Sequence, residues 1–474
     1  MTRGPVCILG LALLSGCTVG PNYSPPHMDV PSEFVERSEG QRSTLIQWWG
    51  QFGDAELQSL VQQALQSNLD LQTAASRIRQ ARDQLIIAGA TGVPQVSATG
   101  AAVNLHANSN PLGALGGGGP TSQGNSATNL KLFSAGFDAT WELDVFGGVR
   151  RGVEAARAAE EASEWQLRDA QVSLSAEVAV DYLSLCATRE RLKILRDTID
   201  REQQTLSLTD ARRKAGFVSE LDVNRQRAQL AATQAQLPSL ESEERAMMRS
   251  LTVLLARVPE DIPQELARTA EQFPSIPTSL PEGMPSDLLR RRPDVRTAER
   301  RLEGATAEVG VAVASLYPKF DIIAAASYAS DSLSGLVSSR NFTRAGIGLI
   351  RWPVFQAGRG RANVRAKEEQ RQQAYLAYQK SVLTALQDSE DALARFGAEQ
   401  QRLGSLQDAE RAAQSSLTIA RAQYQNGVVP FLDVLNAEST LLDAQNQLVQ
   451  SRLALGQAGV SLYKALGGDW QGTP

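Results

Sequence analysis

The sequence predicts a mainly α-helical chain that also supplies four strands to a membrane β-barrel and is built as an internal duplication. Three observations lead to this prediction. Long stretches rich in Ala, Gln, Glu and Arg carry apolar residues at helical spacing. Four shorter stretches have the composition or the alternation of strands. The same order of elements then occurs twice, because Leu221-Asp222-Val223 returns as Leu432-Asp433-Val434, 211 positions later (432 minus 221).

Composition argues against several classes of protein. The chain of 474 residues has 47 Lys and Arg against 52 Asp and Glu, a formal net charge of −5, which argues against a nucleic-acid partner. The two histidines, His27 and His106, lie in turn-rich polar segments with no cysteine near them. No paired carboxylates follow a strand. We therefore expect no metal site, no cofactor and no enzyme active site.

Residues 1–16 have the pattern of an export signal. Arg3 precedes the apolar run Val6–Leu14, which is too short to span a bilayer as a mature helix. The run ends in Leu14-Ser15-Gly16-Cys17, which resembles a bacterial lipoprotein signal, so we expect a covalent lipid on Cys17. Cys186 stands alone in a helical stretch and is expected to be a small packing residue.

The first repeat is expected over residues 54–257, after an extended, proline-rich segment at 17–53. Its predicted elements, in order, are a helix to about residue 90, strands at 94–103 and 133–146, a long helix at 147–215 and a return helix at 220–257. The long helix would measure about 100 Å at about 1.5 Å per residue. A helix of that length must protrude or line something long.

A proline-rich linker at 258–284 leads into the second repeat at 285–474. Its predicted elements are a helix, strands at 318–328 and 342–354, a long helix at 358–426 and a return helix at 431–468. In both repeats the long helix stops at a glycine, Gly216 or Gly427, and a helix restarts a few residues later. This pattern predicts two tight helical hairpins, whose turns we call the tips.

Each strand is about ten residues long, enough to cross a membrane at a tilt. Four strands cannot close a barrel, and open strand edges are not tolerated in lipid. Several chains must therefore share one barrel, with twelve strands from a trimer or eight from a dimer. The loops at 104–132 and 329–341 would then face the outside.

Three features together resemble the outer-membrane factor family, in particular the lipoprotein branch of multidrug efflux channels. They are the start Leu-Ser-Gly-Cys-Thr-Val-Gly-Pro-Asn-Tyr, the motif Arg292-Pro293-Asp294, and the twin tips ending in Leu-Asp-Val. The resemblance covers essentially the whole mature chain. It implies a trimeric 12-stranded barrel, four strands per chain, continued by a long helical tunnel through the periplasm. Residues 17–53 and 258–284 would lie on an equatorial belt of this tunnel.

The resemblance implies an exit duct in the outer membrane of a Gram-negative bacterium, through which a tripartite pump exports drugs or other small molecules. Its partners would be two further copies of the chain, a periplasmic adaptor, outer-membrane lipid and an inner-membrane pump, most often of the resistance-nodulation-division type. A type I protein secretion channel is an alternative. A coiled-coil lipoprotein without a pore, or a periplasmic adaptor, would not explain paired amphipathic strands together with the duplication.

The resemblance also places functional residues at the tips. Carried over by position, Leu432, Asp433 and Asn436 line a periplasmic gate. Three-fold symmetry would make Asp433 a ring of like charges that attracts cations. The other interpretation of Asp433 is an early-turn acid favoured by the helix dipole. A hydrogen bond between Asp222 and Tyr424 would hold the closed state, although Tyr424 also fits the apolar seam of its helix.

The tips themselves are short, apolar and suited to docking the adaptor. The residues predicted to do so are Gly216, Phe217, Val218 and Ser219 in the first tip and Gly427, Val428, Val429 and Pro430 in the second.

Overall fold

A computed structural model describes residues 18–31, 34, 47–107, 128–267, 273–277 and 291–468. The chain is mainly helical, with one four-stranded antiparallel sheet, as the sequence predicts. The described residues fall into two compact units. The first unit draws on 1–26, 79–161 and 299–376, and the second on 27–78, 162–298 and 377–474. The predicted signal at 1–16 and Cys17 lie outside the described residues.

The elements follow the predicted order in both halves of the chain. A 3₁₀ turn, Trp48–Phe52, precedes α1 (Ala55–Ser67), α2 (Leu69–Ala90), β1 (Gln95–Ala107), β2 (Thr128–Leu143), α3 (Gly148–Lys214), α4 (Glu220–Gln234) and α5 (Leu237–Leu254). The second half holds the single turn α6 (Gln264–Ala267), then α7 (Pro293–Ala314), β3 (Lys319–Ser330), β4 (Phe342–Arg351), α8 (Arg359–Gln425) and α9 (Phe431–Ala465). The long helices α3 and α8 have 67 residues each.

Two predicted helices are interrupted. The helix predicted from 54 to 90 divides at Asn68, whose buried side chain accepts from the backbone N–H groups of Asp70 and Leu71 and so begins α2 anew. The return helix predicted at 220–257 divides between α4 and α5, where Pro238 lies in the first turn of α5. Proline has no N–H for the helical ladder and is favoured in a first turn, so it marks a fresh start.

The sheet runs in the order β1-β2-β3-β4, with each strand antiparallel to the next. Strands β1 and β2 are longer than predicted at their joined ends, where Ala107 pairs with Thr128. Because Asn and Ser are common near these ends, the sequence alone favoured a loop there. Strand β4 ends earlier than predicted, at Arg351, because Pro353 cannot donate to a ladder.

One face of the sheet is predominantly apolar, although Lys131 and Arg344 also lie on it. The register aligns its exposed residues on the same side: Val96, Phe137, Ile322, Phe342 and Ile350. The opposite face carries two cross-strand ion pairs, Glu142 with Lys319 and Asp321 with Arg351. The alternation predicted for β2 is therefore present, whereas β4 also places exposed Ile347 and Leu349 on the face of the ion pairs.

Equivalent residues of the two halves make equivalent contacts. Trp141 donates its indole N–H to the carbonyl of Gly92 over 3.0 Å, and Trp352 donates to the carbonyl of Leu316 over 3.2 Å. Gly147 and its counterpart Gly358 both have positive φ, 79° and 86°, just before a long helix. The duplication read from the sequence is thus visible in backbone geometry and hydrogen bonding.

The largest core of the second unit surrounds the 3₁₀ turn. Trp48 stacks on Tyr463 with ring centroids 5.1 Å apart, and both side chains are buried. Tyr182 donates its hydroxyl to Asp54, the N-cap of α1, over 2.9 Å. Cys186 packs in this core, and burial raises the pKa of its thiol to about 12. The thiol is therefore protonated at neutral pH, as expected of a packing residue.

Candidate functional site

The two tips close in the same way. In the first, Gly216 N–H donates to Arg213 O and Phe217 N–H donates to Arg212 O, each over 2.9 Å. In the second, Gly427 N–H donates to Tyr424 O over 3.0 Å and Val428 N–H donates to Gln423 O over 2.9 Å. This is the Schellman arrangement, and the φ of 81° at Gly216 and 74° at Gly427 explains the glycines.

The helices after the tips begin differently. Ser219 caps α4 in a reciprocal capping box with Asp222, in which each side chain accepts from the other's backbone N–H. Pro430 caps α9 without a side-chain hydrogen bond, and Asp433 lies in the first turn. Asp222 therefore takes part in a helix cap, whereas Asp433, at the equivalent position of the second repeat, does not.

The predicted gate residues lie together on one exposed face of α9. Leu432 is 45% exposed, and Asp433 and Asn436 are also exposed. The opposite face of the same turns is buried, with Phe431 and Val434 in the apolar cluster of the second tip. The gate residues are thus free of the packing of their own hairpin and available to other groups.

The hydrogen bond between Asp222 and Tyr424 that was predicted for the closed state is not formed among the described residues. Asp222 Oδ2 instead accepts from the hydroxyl of Ser219 over 2.9 Å, and Oδ1 lies 3.8 Å from Arg225. Tyr424 is buried, and its hydroxyl has no hydrogen-bond partner among the described residues. The carboxylate of Asp222 is bound by Ser219 within the capping box, and sequence spacing alone could not reveal this contact.

Arg212, in the last turn of α3, is the residue that contacts Tyr424. Its Nη1 donates to the backbone carbonyl of Tyr424 over 2.7 Å, and its guanidinium lies 4.6 Å from the centre of the tyrosine ring. Val218 of the first tip packs against the same apolar cluster. Arg212 was not predicted as a functional residue, because in the sequence it resembles an ordinary basic residue at a helix C-terminus.

A second polar contact joins the hairpins farther from the tips. Glu438 on α9 is buried, and its Oε1 accepts from Arg421 on α8 over 2.6 Å and from Thr205 on α3 over 3.3 Å. Glu202, also buried on α3, accepts from Thr233 on α4 over 3.1 Å. Burial and the nearby Glu438 raise the pKa of Glu202, against the opposing effect of its hydrogen bonds.

The predicted docking residues are not equally available. Phe217 is 75% exposed and Val428 is 69% exposed, so each tip presents one large apolar side chain. Val218 and Val429, predicted to be exposed, are half-buried because they pack on the apolar cluster around Tyr424. The exposed apolar surface of the tips is therefore smaller than the sequence suggests.

The residues that follow Cys17 are clamped onto the first unit. Val19 N–H donates to Phe146 O over 3.2 Å, and Arg151 donates to Val19 O and to Asn22 Oδ1, the latter over 2.6 Å. A side chain on Gly147 would come within 2.9 Å of the Cα of Thr18. Thr18, which follows the predicted lipid site in the sequence, is therefore held against the connection between β2 and α3.

The family model described as outer membrane efflux protein matches residues 60–257 and 284–468. The chain belongs to this family. The pyoverdine export outer membrane protein OpmQ of Pseudomonas aeruginosa is 35% identical over 467 residues, which span 97% of this chain and 95% of the relative. The solved outer-membrane channel OprN has a TM-score of 0.88 at 34% identity, covering 96% of this chain and 100% of the other.

A further outer-membrane channel of known structure, MtrE of Neisseria gonorrhoeae, was solved in its open state. It has a TM-score of 0.83 at 27% identity and covers 95% of this chain and 98% of the other. This chain is accordingly an outer-membrane efflux channel, the exit duct of a tripartite pump, with a large periplasmic portion. The family is one of channels, not of enzymes.

Among the described residues, no helix is both long and apolar enough to cross a membrane. In the same part of the chain, no group of three or more His, Cys, Asp or Glu side chains is arranged to hold a metal ion.

Proposed function

We propose that three copies of this chain share one twelve-stranded barrel in the outer membrane, and that the tips of their helical hairpins form its periplasmic gate. The observation that supports the barrel is the open sheet. Strands β1 and β4 are its two edges, and each pairs on one side only within the described chain. Unpaired backbone groups are too costly in hydrocarbon, so the edges must pair with further copies.

The two faces of the sheet fit the two environments of such a barrel. The apolar face, with Val96, Phe137 and Ile350 each more than half exposed, suits contact with lipid. The opposite face, with the Glu142–Lys319 and Asp321–Arg351 pairs, suits a water-filled interior. Acyl chains on Cys17 would enter the same membrane, because Thr18 is held against the end of β2.

The gate residues are Leu432, Asp433 and Asn436. Their exposure on the first turns of α9 leaves them available to line an opening around a three-fold axis. Three Asp433 carboxylates at one level attract cations and disfavour anions. The related channel MtrE was crystallised in an open state, which supports a tip region that changes conformation.

The periplasmic partner would dock at the tips, where Phe217 and Val428 provide the exposed apolar contacts. We propose a periplasmic adaptor there, linked to an inner-membrane pump of the resistance-nodulation-division type. The exported molecules would be small, as for the relative that exports pyoverdine. Residues 17–53 and 258–284 would form the belt around the helical tunnel.

Single-channel recording in planar bilayers tests the gate. Asp433→Asn removes three charges from the proposed opening with almost no change in shape, so the preference for cations should fall. Glu220→Gln is the matched control, because Glu220 is an exposed acid in the first turn after the other tip. Equal loss of selectivity in both variants, or none in Asp433→Asn, would contradict the assignment of Asp433.

A further inference from the structure

Farther from the tips, the two hairpins are joined by an ion pair of Arg452 with Glu190 and by a hydrogen bond from Gln457 to Ser184. Two further polar contacts join the hairpins near the tips. At the first, Arg212 from α3 reaches the carbonyl of Tyr424 at the end of α8. At the second, the hydroxyl of Thr205 on α3 reaches the carboxylate of Glu438 on α9. Both points lie within the second unit. They connect the hairpin that carries the gate residues to the hairpin that does not.

The Arg212 contact holds the second tip by its backbone. Tyr424 O already accepts from Gly427 N–H, which closes the tip, so Arg212 binds a carbonyl that belongs to the turn itself. The guanidinium also lies over the Tyr424 ring, where the cation and the aromatic face attract each other. The hydroxyl of Tyr424 takes no part in either contact.

The Glu438 contact lies on the same helix pair, about two turns from the second tip. Glu438 is 5% exposed. Its Oε1 accepts hydrogen bonds from both Thr205 and Arg421. Its Oε2 is buried and has no hydrogen-bond partner in the described chain. A buried carboxylate with one unsatisfied oxygen is a costly feature to retain for stability alone. Its position fits a contact that must break and re-form.

We propose that Arg212 and Glu438 are positioning residues that tie the two hairpins together and so set how far the gate residues on α9 are apart. The tie runs through the Tyr424 carbonyl and the Glu438 carboxylate, not through Asp222 and the Tyr424 hydroxyl. The proposal rests on the proposed gate and names the residues that control it.

If this tie controls the gate, substitutions at its two contacting residues should affect gating differently. Tyr424→Phe keeps the backbone carbonyl, the ring and its packing on Phe431, so gating should not change. Arg212→Met keeps the apolar stem but removes every donor, so the ratio of open to closed time should rise about tenfold or more, the change that loss of about 1.4 kcal/mol produces. Arg212→Lys, which keeps the charge but loses the planar face, should show an intermediate ratio.

The experiment is single-channel recording of the full-length lipoprotein in planar bilayers, with thermal unfolding of each variant as a check on folding. Arg213→Met is the matched control for Arg212, because Arg213 pairs with Asp210 and Glu220 of its own hairpin. Thr205→Val removes the second contact, and Thr209→Val is its control, since Thr209 donates to the carbonyl of Thr205 within α3. Both controls should leave dwell times unchanged.

Longer open times in Arg212→Met and Thr205→Val, with wild-type behaviour in Tyr424→Phe, would support the tie. Opening by Tyr424→Phe, or by Arg213→Met as much as by Arg212→Met, would overturn it. Selectivity measured on Asp433→Asn in the same membranes separates the two proposals. If that variant loses cation preference while Arg212→Met gates normally, the gate stands and the tie is wrong.

Discussion

Asn68 and Arg292 occupy the same position in the two repeats, and each holds the end of a return helix. Asn68 Nδ2 donates to the carbonyl of Leu254 over 3.0 Å, and Arg292 Nη1 donates to the carbonyl of Ala465 over 3.2 Å. Both side chains are buried. The Arg292-Pro293-Asp294 motif of the sequence therefore has a structural meaning, since its arginine satisfies a carbonyl that a helix end leaves open.

Arg292→Met should destabilise the protein by about 3–5 kcal/mol, because it removes a buried cation and leaves the groups that it binds without a partner. Arg292 also pairs with Asp294 over 2.7 Å and with Asp388 over 2.9 Å, so two carboxylates would lose their cation. Asn68→Ala should cost less, about 1–2 kcal/mol, through the lost cap of α2. Denaturant unfolding followed by circular dichroism measures both.

Arg301→Met is the control for this comparison, because Arg301 is exposed on the same helix, α7. Its effect should stay within about 0.5 kcal/mol. A cost for Arg292→Met no larger than that of Arg301→Met would show that the buried arginine does not brace the return helix.

The tip glycines should be intolerant of alanine for a conformational reason alone. Added Cβ atoms at Gly216 and Gly427 would meet nothing within 4 Å, but both residues have positive φ. Gly216→Ala and Gly427→Ala should each destabilise by about 1–2 kcal/mol. Gly397→Ala is the matched control: its Cβ also meets nothing, but it lies inside α8, where alanine should stabilise by about 0.5–1 kcal/mol. Destabilisation by all three would point to packing instead.

Glu202 should make stability depend on pH. Burial is the main cause that raises its pKa in the folded chain, Glu438 adds to it, and Thr233, Gln229 and Arg201 oppose it. A raised pKa means that the folded state binds the proton more tightly than the unfolded state. The stabilisation that Glu202 contributes to the folded state is therefore fully present below its unfolded-state pKa, and it is lost as pH rises through its folded-state pKa.

Glu202→Gln mimics the protonated acid at every pH and keeps an acceptor for Thr233. The variant should match wild type near pH 4 and be the more stable of the two at pH 7 and above. Unfolding midpoints of both proteins across this range provide the measurement. If the variant is less stable than wild type at neutral pH, and the difference in unfolding midpoint disappears in acid, the charged carboxylate stabilises the fold and the prediction is contradicted.

The clamp on the N-terminal segment should be visible in hydrogen exchange. Arg151 is buried and donates to Val19 O and Asn22 Oδ1, so Arg151→Met should loosen residues 18–22 and speed exchange at the amide of Val19. Arg150→Met is the neighbouring control, because Arg150 pairs with Asp144, next to the end of β2. Unchanged exchange at Val19 in Arg151→Met would show that the other contacts suffice.

The sequence was sufficient for the elements and their repetition. Helical spacing located α3 and α8 to within one residue of their ends, and the glycines at 216 and 427 located the tips. These features are local: they depend on periodicity and on the left-handed conformation that glycine permits. The family resemblance supplied the channel function, which the comparisons confirm.

The contacts between the hairpins could not be predicted in the same way. Asp222 is bound by a residue three positions away, whereas Tyr424 is bound by Arg212, 212 positions distant. Which of two nearby polar groups reaches a partner on another helix depends on rotation of each helix about its axis. No spacing rule within one helix fixes that rotation, so Arg212 and Glu438 were missed, and the implied Asp222–Tyr424 bond is not formed among the described residues.

The central claim is that three chains share one barrel, and native mass spectrometry of the detergent-solubilised protein tests it most directly. The proposal predicts a single species of three chains, because only added copies can pair the open edges of β1 and β4. A monomer, or a dimer with eight strands, as the dominant species under conditions that preserve channel activity would contradict it.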